Sequence, residues 1–181
     1  RNGIVLKFDH QLTSKHQTFV RFNNASAFFN FNYNFDGLAT QGRNVVRRPS
    51  RGIAVNDTWL ISPRTTLDTR LGYATGGEKQ RPYSSGFDLA SLGFPSSFVQ
   101  SAQSAAFPTI RITGIEGLAG SGYKEQVGHT YSLQSSLSMQ RGKHLFKTGG
   151  EIRLLRGNYL TNDNPSGNFS FSQGTSGGPR A

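Results

Sequence analysis

G-H-T-Y-S-L-Q-S-S-L-S-M-Q, Gly128 to Gln140, then R-G-K, then H-L-F-K-T-G-G-E-I-R-L-L-R-G-N, His144 to Asn158, is the stretch that decides the fold. In its first half, Tyr131, Leu133, Leu137 and Met139 share one parity, and Ser132, Gln134, Ser136, Ser138 and Gln140 the other. A period of two is the mark of a strand with one apolar and one polar face. The second half repeats it, with Phe146, Thr148, Ile152 and Leu154 on one side and Lys147, Glu151 and Arg153 on the other. Arg141-Gly142-Lys143 is a short polar turn, so the two halves form a hairpin. A half-buried strand in a soluble domain runs about five or six residues. These arms hold their pattern for about ten, the length a tilted strand needs to cross a bilayer. An apolar face for lipid, a polar face for a lumen and a tight turn at one end predict a transmembrane β-barrel hairpin.

Composition agrees. The chain has 181 residues, the size of one domain, and only 34% are hydrophobic, below the usual share for a globular core. Aromatic and glycine content is high, with Phe 14 and Gly 22. No stretch approaches the roughly 18 consecutive apolar residues of a membrane helix. The chain has no cysteine, which excludes disulfides and thiolate metal sites. The opening Arg1-Asn2-Gly3-Ile4 has no initiator Met or signal-peptide pattern, and the end at Ala181 is abrupt, so the sequence reads as a piece of something longer. The formal net charge is +10, with the densest run between Arg43 and Arg51. In a soluble protein such charge points to nucleic acid or an anionic surface. Here it is spread along the chain, and a lipopolysaccharide-facing rim also uses such charge.

Along the chain, the first hairpin covers about 3–25. Ile4, Leu6, Phe8, His10 and Leu12 alternate with Val5, Lys7, Asp9 and Gln11, and Thr13 to His16 is the turn. Asp9 and Arg21 are both read as lumen-facing. A loop is expected over 26–51, although Phe28 to Phe35 alternates aromatic residues with Asn. That alternation fits either an aromatic girdle or a sticky edge segment. The second hairpin covers 52–75 with its turn at Ser62-Pro63-Arg64 and Trp59 placed for an interfacial belt. Asp57 falls on the parity of Val55 and Trp59, which counts against the pattern or marks a bulge. A second long loop runs over 76–125, with a short helix expected between Leu89 and Ala106. The third hairpin covers 126–158, and a further strand starts over 168–173. The connections alternate short and long, as in outer-membrane barrels. The expected fold is all-β: one domain over 1–181, an antiparallel up-and-down meander of long hairpins, an incomplete portion of a transmembrane β-barrel.

Chemistry is sparse. The four histidines lack metal-ligand spacing, and Asn162 to Gly167 only loosely imitates a calcium loop whose twelfth position is Gln173. Gly174 to Gly178 matches the letters of a nucleophile elbow, but Pro179 follows where a helix is needed. Asp68 and Glu151 each have an arginine two residues away on the same strand face, Arg70 and Arg153, and read as lumen-facing ion pairs. The candidate lumen-facing residues are Asp68, Arg70, Lys147, Glu151 and Arg153. No catalytic residue, metal site or cofactor is expected, and the chain is not read as an enzyme.

Four groups of residues resemble the barrel of TonB-dependent outer-membrane receptors, more narrowly the Oar-like group. These are Asp9-His10-Gln11-Leu12 with Phe19-Val20-Arg21-Phe22; Asp57-Thr58-Trp59 with Ser62-Pro63 and Arg70-Leu71-Gly72-Tyr73; Phe87-Asp88-Leu89 with Leu92-Gly93-Phe94-Pro95 and Phe107-Pro108; and Gly142-Lys143-His144 with Phe146-Lys147, Gly149-Gly150-Glu151 and Arg153. The resemblance implies a barrel of about 22 strands with an internal plug, energised by the TonB complex of the inner membrane. It implies outer-membrane localisation, outer-membrane lipid as a partner, TonB as a partner through a plug region missing from this sequence, no nucleic acid, and uptake of a substrate the sequence does not name. Two rivals stay open at this point. A soluble β-sandwich binding module, for instance for carbohydrate, requires the same leucines to meet between two sheets. A nucleic-acid-binding barrel requires clustered cations with exposed aromatics.

Overall fold

The structure is a computed structural model and describes residues 2–30, 35–120, 122–172 and 174. The aromatic–Asn alternation at 31–34, Gln173 and most of the Gly174–Gly178 match lie outside the described residues.

Alternation becomes strand throughout. β1 (Asn2–Thr13), β2 (His16–Asn30), β3 (Asn44–Ser62), β4 (Thr65–Pro82), β6 (Tyr123–Arg141) and β7 (His144–Asn162) form one six-stranded sheet in the order β1-β2-β3-β4-β6-β7. It is an antiparallel meander, and β1 and β7 do not pair with each other. β5 (Thr109–Ile112) and β8 (Asn168–Phe171) pair in parallel as a separate two-stranded sheet.

The short turns are set by local chemistry. Thr13 Oγ1 accepts from the backbone N–H of Lys15 at 3.2 Å and of His16 at 3.1 Å. Ser62 Oγ accepts from the N–H of Arg64 at 3.3 Å, beside Pro63 with its preset φ. Gly142 opens the third turn at φ 57°, the left-handed region that a two-residue hairpin favours.

The long connections are narrower than expected. β2 continues to Asn30 and β3 begins at Asn44, so both ends of the loop expected over 26–51 are strand. Likewise β4 reaches Pro82 and β6 starts at Tyr123. Strand pairing continues past the point where the apolar–polar alternation fades. The short helix expected between Leu89 and Ala106 is α1 (Ser96–Ser101), preceded by a 3-10 turn (Leu89–Leu92). Asp88 caps the 3-10 turn by accepting from Ala90 N, and Gly93 ends it at φ 81°. Pro95 then starts α1, so one helix cannot run through.

The β1–β2 register sorts the two faces. Leu6 stands opposite Phe22 and Phe8 opposite Val20, while Lys7 stands opposite Arg21 and Asp9 opposite Phe19. Paired residues share a face, so one face is apolar and the other polar. The described side chains of the apolar face are not sealed in a core: Phe8 is 68% exposed and Ile152 73%. That overturns the sandwich reading, which needs these side chains sealed in a core.

By contact density the chain divides into two compact units: Arg1–Ala27, Arg48–Gly77 and Val127–Asn158 in the first, and Phe28–Arg47, Glu78–Gln126 and Tyr159–Ala181 in the second. The first contains the short turns. The second contains the long connections.

Candidate functional site

In the first unit, the polar face carries a hydrogen-bonded cluster built by β3 and β4. Asp68 Oδ2 accepts from Asn56 Nδ2 at 3.1 Å and from Thr58 Oγ1 at 2.9 Å. Arg70 Nε donates to Asn56 Oδ1 at 3.2 Å. Asn56 therefore joins the carboxylate to the guanidinium, and it is buried, at 3% exposure. The direct Asp68–Arg70 ion pair expected from the sequence gives way to this bridge. Asn56 on the neighbouring strand reaches both side chains and occupies the groups a direct pair would use.

The guanidinium of Arg70 lies 5.8 Å from the Phe19 ring on β2, and Lys7 lies 4.8 Å from the same ring. Lys7 pairs with Asp9 at 2.6 Å. On β7, Glu151 and Arg153 do form the expected ion pair, at 2.6 Å, but both are well exposed, so it contributes little to stability. Lys147 shares their parity on β7. The five candidates thus stand on the polar face, split between the β3–β4 cluster and the edge strand β7.

Sequence reading missed Asn56 and Phe19. The signal for Asn56 was present: it has the parity of Ala54 and Thr58, and the turn at Pro63-Arg64 folds Asp68 back against it. Asn56→Leu is expected to leave Asp68 and Arg70 each short of a partner and to cost about 1–3 kcal/mol. Denaturant unfolding of the full-length protein measures this, and an unchanged midpoint would show that the bridge is dispensable.

Beside the cluster the polar face has an open recess of about 670 Å3, lined by Gly3, Asn23, Gly52, Ala54, Gly72 and Ser132 among others. A Cβ at Gly52 would stand 2.6 Å from Asn23 Oδ1, and one at Gly72 2.6 Å from Ser132 Oγ. Small residues keep this part of the wall thin and leave room against it.

Asp57 is a polar interruption of the apolar face. Asp57 accepts from Thr18 Oγ1 at 2.9 Å and meets His16 Nδ1 at 3.0 Å. The Trp59 indole stacks on the His16 ring with centroids 5.4 Å apart. Asp57 keeps the apolar parity, and β3 runs unbroken through it. The misfit noted in the sequence is resolved by partners on β2. Farther along the same face, Thr69 Oγ1 and Ser135 Oγ are 3.3 Å apart, and Tyr73 OH meets His129 Nδ1 at 2.9 Å.

The second unit holds a small packed centre within its loops. Leu89, Ala106, Pro108 and Ser166 are buried. Ser166 Oγ accepts from Ala106 N at 2.9 Å and donates to Ser104 O at 2.6 Å. Phe94 stacks on Phe98 at 4.5 Å and on Phe169 at 5.3 Å. The Asn162–Gly167 loop is tied to this centre: Asn164 Oδ1 accepts from Thr109 Oγ1, and Asn162 Nδ2 donates to Gln103 Oε1. Its side chains thus serve the loop packing. On the strands of this unit, Lys79 pairs with Glu125 at 2.5 Å and Lys124 with Glu78 at 3.1 Å.

The whole chain, residues 1–181, matches the family described as outer membrane beta barrel domain. No curated protein and no solved structure matches it. A one-sheet meander of long strands with an uncovered apolar face and a hydrogen-bonded polar face is what such a wall requires. The chain belongs to the outer membrane beta barrel domain family, and its place is the outer membrane.

Proposed function

We propose that the chain is part of the wall of a TonB-dependent receptor of the Oar-like kind. It acts as a passive scaffold for energised uptake and performs no catalysis. Its partners are outer-membrane lipid along the apolar face and, through a plug elsewhere in the parent protein, the TonB complex. Nucleic acid is not among them. One observation supports this reading most: the polar face sets a recess of small residues beside the fixed Asn56–Asp68–Arg70 cluster. A wall that must pack against a folded plug needs such room, with polar groups to orient it.

The test uses the full-length protein in detergent with the soluble periplasmic domain of TonB, together with a photo-crosslinking residue at Ala54. The expected results are saturable binding of TonB and a crosslink from position 54 to another part of the same polypeptide. Absence of TonB binding would overturn the proposal, as would a position 54 that captures nothing from its own chain.

A further inference from the structure

The recess beside the Asn56–Asp68–Arg70 cluster lies wholly within the first unit. Arg21 on β2 and Arg70 on β4 both line it, and both are exposed. β3 runs between those two strands and presents Gly52 and Ala54 to the recess. Among the described residues the Arg21 side chain has no hydrogen-bond or ion-pair partner. Arg70 donates its Nε–H to Asn56, which leaves both Nη groups without a hydrogen bond to any described residue. No described Asp or Glu lines the recess. Asp68 is held by Asn56 and Thr58, and Asp9 by Lys7. Two guanidinium groups thus share one opening, and its lining supplies no carboxylate to answer them.

Neutral polar groups stand at the same opening. Asn23 Oδ1 is 2.6 Å from the Cβ position of Gly52, and Ser132 Oγ is 2.6 Å from that of Gly72. The two glycines therefore let an amide and a hydroxyl reach across the neighbouring strand. Neither side chain has a hydrogen-bond partner among the described residues. An arginine fork matches a carboxylate with two parallel, charge-assisted hydrogen bonds. Uncommitted amide and hydroxyl groups match the hydroxyls of a sugar, which both donate and accept. A bare anion would use the arginines alone, and a neutral sugar the amide and hydroxyl alone. We infer that the recess is a binding site for an acidic sugar. Its carboxylate lies on Arg21 and Arg70, and its ring hydroxyls meet Asn23 and Ser132. The volume, about 670 Å3, falls within the range of small-molecule sites. This inference goes beyond the scaffold reading, because the wall itself touches the solute. It needs only a polar face open to a lumen, and not the TonB complex.

The test is isothermal titration calorimetry on the full-length protein in detergent, with three probes: digalacturonate, its uncharged methyl ester, and acetate. Digalacturonate is expected to bind saturably, and the ester and acetate each at least tenfold more weakly. Arg21→Gln should weaken digalacturonate about tenfold, the worth of one charge-assisted hydrogen-bonding group. Arg64→Gln, which removes the same charge at a short turn, should leave binding unchanged. Ser132→Ala should weaken digalacturonate and leave the small response to acetate as it was. Absence of digalacturonate binding overturns the site, as does undiminished binding by Arg21→Gln or equal loss in Arg64→Gln. Equal affinity for the ester, or for acetate, overturns it as well. If Arg21→Gln does not reach its folded form, Ser132→Ala decides, and undiminished digalacturonate binding by that variant overturns the proposal. TonB binding without digalacturonate binding sinks this inference alone. Digalacturonate binding without TonB binding supports it and sinks only the TonB reading.

Discussion

His16→Ala lowers the denaturant midpoint of the full-length protein in bilayers, and His16→Phe combined with Asp57→Val restores it. Asp57 lies between Ile53 and Ile61 on the apolar face, among side chains that meet lipid. Its carboxylate is tolerated there because His16 and Thr18 both reach it from β2. Removing His16 leaves Thr18 as its remaining side-chain partner and removes the ring that Trp59 stacks on. A charged group deprived of a partner in a low-dielectric setting costs about 1–3 kcal/mol. Replacing both polar partners with apolar groups removes the desolvation cost along with the attraction, so it is neutral or stabilising. The sign of the double variant is the discriminating measurement. If it is less stable than His16→Ala, then Asp57 faces water rather than lipid, and the assignment of the apolar face fails at this position.

Gly149→Ala is expected to be strongly destabilising, while Gly150→Ala is neutral or better. The two glycines are adjacent on β7 and differ only in what a methyl group would meet. At Gly149 a Cβ would strike the carbonyl oxygen of Ser135 and stand 2.9 Å from Ser136 Cα. Both are backbone of the paired strand β6, so relief requires the two strands to separate. Overpacking of this kind costs about 1–3 kcal/mol. At Gly150 nothing lies within 4 Å. Alanine there adds apolar surface to the lipid side and restricts the unfolded chain, a gain of about 0.4–1 kcal/mol. Denaturant unfolding of each variant checks the pair. Equal effects would mean that β6 and β7 do not approach as closely at Gly149 as described.

The strands and their two faces were legible in the sequence because alternation is a local signal. Tyr131 to Met139 and Phe146 to Leu154 each declare their apolar side without reference to any partner. Glu151–Arg153 was legible for the same reason, since both belong to one strand. What the sequence hid is what depends on neighbours. Asp68 and Arg70 have the same i, i+2 spacing as Glu151 and Arg153, yet Asn56 comes between them from across the hairpin. Asp57 looked like a fault in the pattern because its partners lie on β2. The outer ends of β3 and β4 are hidden in the sequence because pairing there persists through residues such as Arg47, Arg48 and Pro49, where alternation has faded. The short helix expected within 89–106 was legible from Pro95-Ser96, where α1 begins, and Gly93 marks the end of the 3-10 turn before it.

The buried Leu89, Ala106, Pro108 and Ser166 give the long connections a centre of their own. A loop secured in this way has already surrendered most of its conformational freedom before anything touches it. A visitor arriving from outside therefore meets a finished relief, and little further ordering entropy is charged on contact. Affinity at that surface should then be governed by shape and by the release rate, with arrival close to what rigid docking allows.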